Sequence, residues 1–206
     1  MISGRVFILN NHRINEKAVV RQDNRLMLRN MIYTAMFAAL TAVCSQIQLP
    51  IGAVPFTLQT MGIFIAAGLL GAKKGTLSVG IYILLGAVGI PVFAGFSGGL
   101  GIIAGPTGGY IIGFLFTAFA VGILSDLTGG KIWALAVGMI TGLFLCYLFG
   151  TAWFILVSNA GGGNMDIPTA LEYCVIPFLI PDSVKIIISV IIVSRVKKSL
   201  TKSSDI

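Results

Sequence analysis

Six apolar stretches follow one another between residues 30 and 195, each long enough, or nearly so, to cross the ~30 Å of a bilayer's hydrocarbon. They lie near 30–49, 57–72, 75–91, 107–125, 132–157 and 174–195, and Pro, Gly and charge separate them. In lipid a backbone must satisfy its own polar groups, so spans of this kind read as helices. The second and third are short, which puts the Lys73-Lys74 turn between them at a membrane surface with its lysines snorkelling. Of 206 residues 56% are hydrophobic and 10% charged, and mean hydropathy is +0.97, well outside soluble usage. The expectation is an all-α integral membrane protein with six transmembrane helices in one domain at 29–198, between a basic arm at 1–28 and a tail at 199–206.

Cationic residues orient the bundle. With both termini on the cytoplasmic side, that side receives the arm's Arg5, Arg13, Lys17, Arg21, Arg25 and Arg29, the internal Lys73, Lys74 and Lys131, and Arg195, Lys197, Lys198 and Lys202. These are thirteen of the fourteen Lys and Arg residues, and the opposite loops, near 50–56, 92–106 and 158–173, hold none. A formal charge of +7 therefore reads as a topology signal rather than a nucleic-acid surface. The arm reads as a solvated cytoplasmic segment. Its only early apolar run, Val6-Phe7-Ile8-Leu9, is too short for the core of a signal peptide.

The fourteenth cation is Lys185, three residues after Asp182 inside the last apolar stretch. Ionisable groups at membrane depth are costly and face a partner or a cavity. Spacing of i and i+3 sets both heads on one helical face, where they can neutralise each other or grip one ligand. Lys185 precedes Arg195 by ten residues, about 15 Å of helix, so it lies near mid-membrane with Asp182 further out. Pro181 starts or kinks the helix there. A structural ion pair that only staples the last helix to a neighbour is the alternative reading of the same residues.

Other patterns exclude more than they assign. Gly99-Leu-Gly-Ile-Ile-Ala104 matches a dinucleotide fingerprint but follows no strand, and no phosphate-binding GxxxxGK[ST] occurs. His12 stands in the arm with no second ligand, and no nucleophile is paired with a base, so neither a metal site nor an enzyme is expected. Cys44, Cys146 and Cys174 read as buried free thiols. Small residues recur at helix-packing spacing in Ala35/Ala39, Ala38/Ala42, Gly109/Gly113 and Gly138/Gly142. The stretch 91–110 is too rich in Gly and Pro for a regular helix and reads as a lid or pocket wall, while Leu49–Thr60 presents Thr57, Gln59 and Thr60 on the outer side.

Four segments carry a resemblance to a known family: Pro55-Phe-Thr-Leu-Gln-Thr60, Gly89-Ile-Pro-Val-Phe-Ala-Gly-Phe-Ser-Gly-Gly, Gly105-Pro-Thr-Gly-Gly-Tyr110 and Pro181-Asp-Ser-Val-Lys185. Over residues 30–197 the chain resembles the BioY family, the biotin-binding S components of energy-coupling factor (ECF) transporters. The resemblance implies a multi-pass subunit of a prokaryotic cell membrane that captures biotin near the outer face, with no cofactor. It also implies partnership with a transmembrane T subunit and ATPase subunits, and contact with membrane lipid but not nucleic acid. The vitamin contacts of the family's last helix map onto Asp182 and Lys185, and its Ala-xxx-Ala docking face for the T subunit maps onto Ala35 and Ala39. Some members carry an Arg where this chain has Ser97. Biotin's ureido N–H groups suit Asp182 as acceptor, and Lys185 can donate to the ureido carbonyl or to the carboxylate; Gln59, Thr57 and Ser97 can add directional bonds, and Phe93, Phe96 and Tyr110 can enclose the bicycle. A stand-alone transporter in which Asp182 carries a proton is the alternative.

Overall fold

A computed structural model describes the backbone of residues 2–49 and 55–204 and the side chains of residues 22–48 and 55–200. In chain order the elements are α1 (Ile2–Gln46), β1 (Gln48–Leu49), β2 (Phe56–Thr57), α2 (Gln59–Ala87), α3 (Leu100–Ala104), α4 (Gly108–Thr128), α5 (Ile132–Ala160), α6 (Ile167–Cys174) and α7 (Ile176–Ser204). Five helical segments are long and apolar enough to cross a membrane: Gln22–Gln46, α2, α4, α5 and Ile176–Leu200. The chain divides into two units, Met1–Tyr33 and Thr34–Ile206. In the first, the basic arm is helical from Ile2 without a break at residue 28, and the side chains of 22–33 are exposed apart from a half-buried Asn30. The second unit holds every other element.

One long helix occupies the place of the two short spans expected on either side of Lys73-Lys74, and it folds back on itself. Gly71 has φ 81° and ψ −178°, a conformation only glycine adopts readily. Beyond it the chain reverses. Gln59 Nε2 lies 2.8 Å from Tyr82 Oη, whereas 23 residues of straight helix would span about 34 Å. The arms 59–71 and 72–87 are therefore antiparallel, and they approach so closely that a Cβ on Gly75 would stand 2.6 Å from Ala67 Cα. The Asp126 carboxylate of α4 accepts from Ala72 N at 2.8 Å, capping the first turn of the second arm.

Both glycine pairs fall where close backbone approach is needed. Gly109 and Gly113 meet Trp153 and Cys146, and Gly138 and Gly142 meet Val121 and Thr117, so both pairs line the α4–α5 seam. Thr117 Oγ1 sits 2.8 Å from Gly142 O across it. On α1, Ala38 is buried against the core while Ala35 and Ala39 face outward. All three cysteines are buried and free.

Both ends of this unit have distinct chemistry. At one, the Gly71 turn meets the end of α4, and Lys197 Nζ of α7 donates to Ser125 Oγ at 2.5 Å while Ser125 Oγ donates to Gly68 O at 2.7 Å. Lys73, Lys74 and Lys131 belong to this end by sequence. At the other, short elements replace the expected loops. The glycine-rich stretch contains α3 and a Phe93–Ser97 bridge. Residues 158–173, expected as loop, contain all but the last residue of α6, which starts where the Asp166 carboxylate accepts from Thr169 N at 3.3 Å and Pro168 fits the first turn. Of the first outer loop, residues 50–54 lie outside the described residues; its flanks pair as β1 and β2 with Gln48 opposite Thr57. Pro181 lies inside α7 rather than at its start, five residues after Ile176.

Candidate functional site

A cavity of about 180 Å³ opens at the end remote from the Gly71 turn. Its walls come from β2 and the start of α2, the glycine-rich stretch, the first turns of α4, the middle of α5, the end of α6 and the first half of α7. Each contribution has a local cause. The strand pair at β1–β2 turns the chain so that Thr57, Gln59 and Thr60 face inward. The end of α1 pins the glycine-rich stretch: Ser45 Oγ donates to Val92 O at 2.6 Å, Gln46 Nε2 donates to Phe93 O at 3.1 Å, and Gln46 Oε1 accepts from Phe96 N at 2.9 Å. Trp153 Nε1 of α5 holds Gly105 O at 2.9 Å, fixing the approach to α4.

Asp182 and Lys185 are 3% and 4% exposed and form an ion pair of 2.6 Å. Burying two such charges costs several kcal/mol per ion unless every lone pair and proton is met, and here they are extensively met. Lys185 Nζ also donates to Thr57 O at 2.6 Å and Thr60 Oγ1 at 3.2 Å, and lies 3.9 Å over the Phe56 ring. An ammonium has three N–H donors, so all of them have protein acceptors. Tyr147 Oη donates to the other carboxylate oxygen, Asp182 Oδ2, at 2.5 Å. The carboxylate keeps lone pairs beyond these two bonds, and it borders the cavity. Lys185 thus ties α7 to the start of α2, and Asp182 is the charged acceptor presented inward.

Seven of the eight residues singled out as ligand contacts from sequence line this cavity: Thr57, Gln59, Phe93, Ser97, Tyr110, Asp182 and Lys185. Phe96 does not. It is 72% exposed with φ 54°, pointing away from the lining. Among the seven, several are already engaged. Gln59 Nε2 donates to Tyr82 Oη at 2.8 Å, and Tyr82 meets Phe93 edge-on with ring centres 5.6 Å apart. Ser97 Oγ donates to Ala94 O at 2.8 Å. Tyr110 Oη pairs with Thr151 Oγ1 at 3.2 Å. Ala35 and Ala39, assigned to a partner interface, lie away from the cavity on the outer face of α1.

The sequence reading missed Tyr147, Cys146, Cys174, Thr107 and Phe178, all of which line the cavity. Tyr147 had a signal. A phenol inside an apolar span needs a partner for its hydroxyl, and Asp182 is the one buried carboxylate among the described residues. The two thiols gave none, because a buried Cys reads as a small hydrophobe.

Relatives of known description fit this architecture. The chain is 41% identical over 171 residues to "Biotin transporter BioY" of Thermotoga maritima, covering 83% of this chain and 97% of the relative. It is 45% identical over 163 residues to "Probable biotin transporter BioY" of Pyrococcus horikoshii, covering 79% and 93%. A crystal structure of the S-component for biotin from an ECF-type ABC transporter superposes with a TM-score of 0.77 at 33% identity, over 85% of this chain and 94% of that one. The model of the BioY family matches residues 15–202, and the chain belongs to that family.

Proposed function

We propose that this protein is the biotin-capturing S component of an ECF-type transporter, with biotin in the cavity between the glycine-rich stretch and α7. The observation that carries the reading is the buried Asp182 carboxylate, oriented by Tyr147 and Lys185 and open to an otherwise largely apolar cavity, in a chain superposable on a biotin S-component. Biotin's ureido ring carries two N–H donors that suit an ionised carboxylate, and its thiophane suits the aromatic walls at Tyr110, Phe114 and Phe178. Lys185 acts chiefly by holding Thr57 and Thr60 against α7.

Counting the two arms of α2 as separate crossings gives six spans with both termini at the cytoplasmic face of a prokaryotic cell membrane. The cationic residues gathered around the Gly71 turn and Lys197 support that orientation. The arm at 1–28 then lies at the cytoplasmic surface and the cavity opens outward. A proton-carrying role for Asp182 is the weaker reading, since protonation would break the ion pair that secures the cavity wall.

Calorimetric titration of the detergent-purified chain alone is expected to show one tight site for biotin and none for thiamine or riboflavin. Silence with biotin in folded protein would overturn the substrate. The outward Ala35–Ala39 face of α1 is proposed to dock the transmembrane T subunit. Ala39→Leu is expected to leave biotin affinity within about twofold while abolishing co-purification with the T subunit, because a branched side chain holds the backbones apart. Normal co-purification would reassign that face to lipid.

A further inference from the structure

Among the described residues one cation borders the cavity, and that cation is fully engaged. Lys185 gives its N–H donors to Asp182 Oδ1, Thr57 O and Thr60 Oγ1, and its pair with Asp182 is neutral overall. From Asn30 to Val193 the only other cations are Lys73, Lys74 and Lys131. Lys73 and Lys74 follow the Gly71 turn, and Lys131 follows α4, whose first turns form the cavity. With 21 residues in α4, that distance is about 31 Å. Residues 50–54 contain no charged side chain, and neither does any residue from Gly75 to Ser125. Apart from the ion pair, the charged residues nearest the cavity end in sequence are acidic, Asp166 and Glu172, and both are exposed. Ser97, on the glycine-rich wall, directs its hydroxyl proton to Ala94 O.

A ligand carboxylate drawn inside would thus meet Asp182 with no free cation among the described residues to offset it, beside a buried ion pair where charges are weakly screened. We infer that this chain recognises the head of its ligand and leaves the carboxylate-bearing tail at the cavity mouth without a cationic partner, so that ligands with uncharged tails are accepted equally well. The inference rests on the biotin reading above and specifies its ligand class: ureido-ring compounds irrespective of tail charge. The ureido group has the chemistry to pair with Asp182, and the tail has no counterpart of like strength.

The test is calorimetric titration of the full-length protein in detergent with biotin, biotinamide and biotin methyl ester, at one pH and ionic strength. Dissociation constants for the amide and ester within about threefold of biotin's, or tighter, are expected. Biotin bound tightly with both neutral analogues weakened tenfold or more would overturn this inference alone, revealing a dedicated donor for the carboxylate. Absence of binding by all three in folded protein would overturn the biotin reading and this inference with it.

Discussion

Asp182→Asn is expected to weaken biotin binding by about 2–3 kcal/mol, roughly 30- to 150-fold, and Lys185→Ala by at least as much. The two act differently. An Asn at 182 keeps the size of the side chain but replaces one carboxylate oxygen with a donor, which clashes with the Lys185 ammonium if it faces Nζ and costs the bond donated by Tyr147, whose hydroxyl must turn to accept, if it faces Oη. It also removes the charge that suits two ureido N–H groups. Removing the Lys185 side chain leaves Asp182 charged, buried and held by Tyr147 alone, and it releases Thr57 O and Thr60 Oγ1, so the first wall of the cavity loses its tie to α7. Tyr147→Phe belongs to the same series with a smaller loss, about 1.5 kcal/mol, because the ion pair persists. Calorimetry on variants shown to melt cooperatively measures all three. Wild-type affinity in both charge variants would remove the cavity from consideration as the biotin site.

The residues that proved legible in the sequence were those whose placement the membrane makes expensive. A charged pair inside an apolar span has few places to go, so Asp182 and Lys185 were visible at once, and the structure brings them into one buried pair. The arms of α2 were visible because two short apolar stretches flank a lysine pair, but the device that joins them was not. Gly71 is one of 26 glycines, and nothing local marks it as the one with positive φ beside Asp126. Phe96 was assigned by its place in a motif and not by its environment. In the structure its backbone N–H is held by Gln46 while its ring points outward.

Helices α3 and α6 were hidden for a related reason. Gly and Pro density argues against regular structure, yet a five-residue turn between Gly99 and Gly105 needs little propensity. The cap at Asp166 with Pro168 behind it is a start signal that the surrounding loop composition masked. The longest-range contacts were the least readable. Lys185 reaches Thr57 and Thr60 across more than 120 residues, and no periodicity reports which end of α2 faces α7. Sequence located the charges; the hairpin at Gly71 decides what they touch.

That dependence makes Gly71→Ala the second large expected effect, a loss of stability of about 3–4 kcal/mol. Two costs combine. An alanine cannot hold φ 81° and ψ −178° without strain of up to about 3 kcal/mol. Its Cβ would also collide with the Asp126 carboxylate, displacing it from Ala72 N and uncapping the second arm at about 1 kcal/mol. Gly129→Ala is the control: φ is also positive, at 66°, but the space around it is open, so only backbone strain of about 1 kcal/mol applies. At roughly 2–4 °C per kcal/mol for a domain of this size, thermal melting in detergent should fall about 6–16 °C for the first variant and about 2–4 °C for the second. Equal melting would mean that the turn tolerates a side chain and that the hairpin is held elsewhere. Biotin affinity of folded Gly71→Ala at low temperature is expected to stay within about threefold of wild type, because the turn and the cavity occupy opposite ends of the first α2 arm. A large loss of affinity in protein that still folds would show instead that the hairpin's geometry reaches the site directly, through Gln59 and Thr60.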